Sequence, residues 1–114
     1  MIEVPRDRFE ELVADALDGI PPKLGSLMDN VWVRVSNRSR PGLLGLYEGV
    51  PLTERDAGYA GMVMPDRITI YRRTICAICT TEDEVVDQVR DTVVHEVAHH
   101  FGIDDDRLDE LGWS

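Results

Sequence analysis

The residues whose types and spacing could do chemistry lie late in the chain: His95, Glu96, His99, Gly102 and Asp105, within HEVAHHFGIDD over 95–105. Side chains four apart share one face of a helix, so His95 and His99 can turn both imidazoles onto a single metal ion at about 2.0–2.1 Å each. Glu96 stands about 100° round the helix from His95. It is too displaced to join easily as a third ligand and well placed to hold a metal-bound water and take its proton. Composition alone would produce H-E-x-x-H in roughly a few per thousand chains of this length, so the pattern carries weight. Two imidazoles leave zinc short of the three protein ligands of a catalytic site. Gly102 can adopt a left-handed backbone, end the helix and turn the chain back. Asp105 would then supply a carboxylate oxygen at about 2.0–2.2 Å, leaving the fourth position open for water. The expectation is one zinc ion per chain on His95, His99 and Asp105, with Glu96 as catalytic base.

Other residues compete for these roles. Asp104, Asp105 and Asp106 could each cap a last short helix, and the offset from His99 favours Asp105 as the ligand. His100 lies about 140° from His95, off the metal face, and is expected to cap the helix or sit on the surface. Tyr59 and Tyr71 could stabilise an oxyanion; packing on or beside a sheet is the expectation for both. Cys76 and Cys79 form a single C-x-x-C. One such pair cannot make a four-thiolate zinc site, and on an extended segment the two thiols point to opposite faces. They are expected to pack, ahead of forming a disulfide or binding metal.

The elements that must position the site follow from periodicity. Over 6–18, Phe9, Leu12, Val13, Ala16 and Leu17 fall at helical spacing, and Gly19 with Pro21-Pro22 stops the helix. VWVRV (31–35) and LLGLYEG (43–49) predict strands, and RITIYRRTI (67–75) a third, separated from the second by a long loop over 51–66. Thr81 with Glu84 has the pattern of a capping box, and Glu82, Asp83 and Glu84 suit the positive end of the helix dipole. Val85, Val86, Val89, Val93, Val97 and Phe101 continue at helical spacing up to Gly102. A final helix is expected over 105–113, with Trp113 closing the core beneath it. Helix, strands, long helix and short helix make an α+β layer fold.

Composition bounds the rest. The 114 residues amount to one domain, 1–114, and the 43% hydrophobic and 30% charged residues are a globular balance. With 22 acidic against 12 basic residues and a net charge of -10, the chain would be repelled by phosphate backbones and anionic membranes. No basic run exceeds Arg72-Arg73. No apolar run approaches the roughly 20 residues of a membrane span, and the first residues lack the apolar region of a secretory signal. A soluble, cytoplasmic protein is expected, binding neither nucleic acid nor membrane, with its oligomeric state undetermined.

The motif resembles that of the zincin metallopeptidases, with metzincin-like spacing but Asp105 where metzincins usually carry a third histidine. The chain as a whole is similar to the small bacterial minimal zincins, through the motif and through GLYEGVPLTERD (45–56) and PDRITIYRR (65–73). That resemblance implies a small mixed sheet, a backing helix and an active-site helix, with zinc on His95, His99 and Asp105 and Glu96 as base. It also implies a peptide or protein substrate lying along an edge strand, which 43–48 or the loop around 57–63 could provide. The methionine turn of metzincins has no counterpart, since all four methionines precede the motif. The leading expectation is a zinc-dependent peptidase. The rivals are a metal-dependent peptide-binding module with little turnover, and a structural zinc site fastening the C-terminal helix. Glu96 separates them, because a structural site needs no carboxylate beside its first histidine.

Overall fold

The computed structural model describes residues 1–49 and 65–112. Helix α1 (Arg6–Asp18) begins after Pro5 and buries Phe9, Leu12, Val13 and Ala16 on one face. Pro21 ends its reach, and a short turn of helix, α2 (Pro22–Gly25), runs into a single 3-10 turn, Ser26–Met28. Three strands follow: β1 (Val31–Ser36), β2 (Gly45–Glu48) and β3 (Asp66–Tyr71). They lie in the order β1-β3-β2, with β1 parallel and β2 antiparallel to the central β3. The small mixed sheet and its helices are therefore the expected α+β arrangement.

Register sorts the two faces of the sheet. Val33 and Val35 of β1 pair with Ile68 and Ile70, which pair in turn with Tyr47 and Gly45 of β2. Because side chains alternate along a strand, these residues share the face turned to the helices. Arg34, Leu46, Glu48, Arg67, Thr69 and Tyr71 share the other. The core lies on the first face, where Ile68, Ile70, Val85, Val89, Val93 and Val97 are all fully buried.

The strand expected over 67–75 ends early. Tyr71 donates its N–H to Leu44 O at 2.9 Å, the last rung of the ladder, and Arg72–Ile78 form a helix, α3. The reason is burial: Ile75 and Cys76 are both inside, and adjacent residues can reach one core from a helix, whereas a strand would send them to opposite faces. Arg72 anchors the start of α3 through Val4 O at 2.7 Å and Asn37 Oδ1 at 2.8 Å. Cys76 and Cys79 thus sit at the end of a helix, both buried and both free of a disulfide, as packing residues do. Burial pushes both thiols above their ordinary pKa, and the Glu84 carboxylate adds to this at Cys79. The loop expected over 51–66 lies outside the described residues up to 64, and Asp66 already belongs to β3.

Helix α4 (Glu82–His100) packs on α1 and crosses β2. Its valines are mediocre helix formers, so buried contact rather than propensity holds it. Phe101 does not continue the buried stripe: it is 45% exposed, because the helix has ended at His100 and the chain is already turning. A last helix, α5 (Asp105–Leu111), buries Leu108 and stops at Gly112 in a left-handed conformation. Trp113 and Tyr59 lie outside the described residues. Among the described residues no helix is long and apolar enough to cross a membrane.

Candidate metal centre

The end of α4 is where the chemistry collects. Gly102 has φ +77°, and its N–H and that of Ile103 bond to the carbonyls of His99 and Ala98 at 3.1 and 2.8 Å. This paired closure satisfies the last carbonyls of the helix and needs a residue that tolerates the left-handed region. The chain then reverses and Asp104 caps α5, its Oδ1 accepting the Arg107 N–H at 2.9 Å. Asp104 takes the cap, and Asp105 is left with its side chain 73% exposed and facing α4.

Asp105 Oδ1 lies 3.4 Å from His99 Nε2 and 3.7 Å from His95 Nε2. Two ligands held tetrahedrally about 2.0–2.2 Å from one zinc ion stand roughly 3.3–3.6 Å apart, so both pairs are near the spacing a shared ion would impose. Among the described residues no three His, Cys, Asp or Glu side chains are gathered closely enough to enclose an ion as they stand. The two observations are compatible, because Asp105 and His99 are exposed and close by side-chain rotation without disturbing the core. His95 Nδ1–H donates to the Asp91 carbonyl at 2.8 Å, which leaves the Nε2 lone pair directed outward for a ligand. The donor set, two imidazole nitrogens and a carboxylate oxygen, suits zinc.

Glu96, next to His95 along the same groove, points toward β2. Its Oε2 accepts the backbone N–H of Tyr47 at 3.3 Å. The Tyr71–Leu44 bond fixes the alternation of the ladder, so Leu46 and Glu48 bond to β3 while Gly45 and Tyr47 turn N–H and C=O away from β3, at the edge of the sheet formed by the described residues. The glutamate is therefore tethered to an outward-facing amide of an edge strand. A shallow groove of about 390 Å³ runs alongside, between residues 42–45 and the Asp91, His95 and Glu96 side of α4. The more apolar hollow between Leu17, Ile20, Met28 and Trp32 has no titratable lining residue and offers no chemistry.

Three residues without an assigned role in the sequence reading set this geometry. A Cβ on Gly45 would come within 2.6 Å of Thr92 Cγ2 and 3.2 Å of Thr69 O, so only glycine lets β2 lie this close to α4. Tyr47 stacks on His100, ring centres 4.0 Å apart and 18° from parallel, and its hydroxyl donates to Asp66 Oδ2 at 2.7 Å. His100 Nε2 lies 3.9 Å from the same Asp66 oxygen. His100 is exposed in the last turn of α4, as expected, and it also packs on the strand that holds Glu96. Only Gly45 had a visible signal, a glycine inside a strand pattern. Tyr71 is buried, with the Arg40 guanidinium 5.9 Å over its ring, and faces away from α4.

Residues 27–113 match the family described as zincin-like metallopeptidase. The chain belongs to that family, and with it to a metal-dependent, peptidase-like fold. It is similar in structure to a conserved hypothetical protein from Thermo thermophilus, with a TM-score of 0.56 and 20% identity, covering 95% of this chain and 97% of that one. This likeness concerns the fold. Among curated proteins no significant match is found.

Proposed function

We propose that the protein is a zinc-dependent metallopeptidase that hydrolyses peptide bonds, with His95, His99 and Asp105 as metal ligands and Glu96 as general base. The observation that carries the reading is the convergence of Asp105 Oδ1 on both Nε2 atoms, with Glu96 beside them against β2. Zinc, when bound, supplies Lewis acidity, bringing the pKa of its water toward about 7 and polarising the scissile carbonyl. Glu96 accepts the proton of the attacking water and delivers it to the leaving nitrogen. An extended peptide adds alongside β2 through the N–H and C=O of Gly45, while the Tyr47 N–H holds Glu96, which lays it across the groove above His95. Of the two candidate edges, 43–48 contains β2, which adjoins Glu96 through Tyr47, and 57–63 lies outside the described residues.

The test begins with elemental analysis of protein purified without added metal or chelator, beside His99→Ala. About one zinc per chain, absent from the variant, is expected, followed by cleavage in a peptide library that Glu96→Gln abolishes while keeping its metal. Zinc with no cleavage of any peptide would leave the binding-module reading standing. No zinc, even after loading, would overturn the proposal.

A further inference from the structure

The face of the sheet turned away from α4 carries a second polar concavity, of about 540 Å³, lined by Arg6, Arg34, Arg38 and Arg40 with Asn37 and Glu48 among its other walls. Four of the chain's 12 basic residues thus converge on one groove in a protein of net charge -10, against a single lining carboxylate. No basic run in the sequence announces this, because the arginines come from α1, from β1 and from the loop 37–40.

The groove is built rather than incidental. Its floor includes Thr69 and Tyr71, both buried. Arg34 Nε donates to Thr69 Oγ1 at 2.9 Å, and Arg6 donates to Val35 O at 3.1 Å. The loop is pinned from below at two points. Arg72 Nε donates to Asn37 Oδ1, and Arg40 O accepts from Leu43 N–H and the Thr74 hydroxyl, each at 3.0 Å. Arg40 is also steadied over the Tyr71 ring.

The arginines divide by what they already hold. Arg6 is paired with Glu10 at 3.0 Å and Arg34 with Glu48 at 3.8 Å. Arg38 and Arg40 have no ion pair among the described residues. Two uncompensated guanidiniums, each a planar fork of five donors, call for about two negative charges and more acceptor oxygens than one carboxylate offers. A phosphate group, at about -1.5 to -2 near neutral pH, has that charge and that number of oxygens. A long polyanion would meet the field of the whole acidic chain, whereas a small one inside the groove answers mainly to charges within the Debye length of about 8 Å.

We propose that the groove formed by Arg6, Arg34, Arg38 and Arg40 is a binding site for a small phosphate-bearing ligand, on the opposite face of the sheet from the candidate metal centre. Because the proposal does not rest on peptidase activity, it can be tested apart from it. The probe is inorganic pyrophosphate, titrated calorimetrically at low ionic strength into His99→Ala protein, so that chelation of zinc contributes nothing. Saturable binding in the millimolar range or tighter is expected, weakened at least tenfold in Arg38→Gln/Arg40→Gln added to that background. Circular dichroism must show the double variant folded; if it is not, Arg38→Gln alone is used and several-fold weakening is expected. Citrate should bind distinctly more weakly. No saturation by about 10 mM pyrophosphate, or equal affinity in the arginine variants, overturns the site. Citrate binding as tightly as pyrophosphate overturns the phosphate assignment.

Discussion

The two ends of α4 are built on opposite plans. At its start, Thr81 Oγ1 accepts the Glu84 N–H at 3.1 Å, and the Glu84 carboxylate reaches back to the Thr80 N–H at 2.7 Å. Glu82 takes two bonds from Arg8 of α1, at 3.1 and 2.8 Å. Polar groups there are matched within the fold. At its end, His95, Glu96 and His99 are held by one backbone contact each or by Asp105, and their remaining capacity faces outward. Between the two, Val85, Val89, Val93 and Val97 are fully buried. One helix therefore divides its tasks: the capped end and the valine stripe hold it in place, and the open end is free to bind.

The comparison breaks if substitutions at the two ends have the same consequences. The largest effect belongs to Glu96→Gln, which removes the base while keeping the side-chain shape. Peptide turnover should fall by about 10²–10⁴-fold, with bound zinc and melting temperature little changed. A matching loss of zinc would mean that Glu96 is a ligand. In the buried middle, Val93→Ala deletes two methyl groups from a fully buried site and should cost about 2 kcal/mol, read from urea unfolding. Its zinc content should not change.

Gly45→Ala joins the two plans. The added methyl meets Thr92 Cγ2 at 2.6 Å, and Thr92 is β-branched and fixed on α4, so the strand must move. Overpacking of this kind costs about 1–3 kcal/mol. Turnover should fall more than that loss of stability explains, because Tyr47 N–H and Glu96 are drawn apart. Unaltered kcat and KM would detach β2 from the site. At the capped end, Thr81→Ala should lower stability by about 1 kcal/mol and leave zinc binding and turnover as they were.

The same division marks what was legible in the sequence. Patterns carried by one element and its ends were readable: the α1 stripe, the Thr81 cap, the valine spacing, and the left-handed stop at Gly102. What escaped depends on contacts between elements. The conversion of 72–75 from strand to helix is decided by where Ile75 and Cys76 find the core, and β-propensity alone cannot register that. Phe101 kept the helical spacing but lay past the last residue able to use it. Tyr47, Asp66 and His100 meet from β2, β3 and α4, and the arginine groove draws on three separate segments. Such clusters have no local signature. The family resemblance added the strand edge as a peptide site without deciding which strand; among the described residues, pairing with β3 puts β2 at the sheet edge beside Glu96.

The smallest effect concerns the pH dependence of the capped end. Bonds from Arg8 hold the Glu82 carboxyl below its ordinary value, and the Thr80 amide and hydroxyl do the same for Glu84. Both groups therefore stabilise the fold when ionised. Their contribution is fully present above the unfolded value of 4.5 and is lost as pH falls through the lowered folded values. Both carboxylates are solvent-exposed, so the effect is modest and screened by salt. Melting temperatures of wild type and Glu82→Gln/Glu84→Gln, both metal-free, should differ by a constant amount from pH 7 to about pH 5.5 and converge below about pH 4.5. A gap that widened on acidification would reverse the sign assigned to these pairs. A gap that changed instead between pH 7 and about pH 5.5, above the carboxylate range, would mean that the two ends of α4 are coupled, and that the helix does not divide its tasks after all.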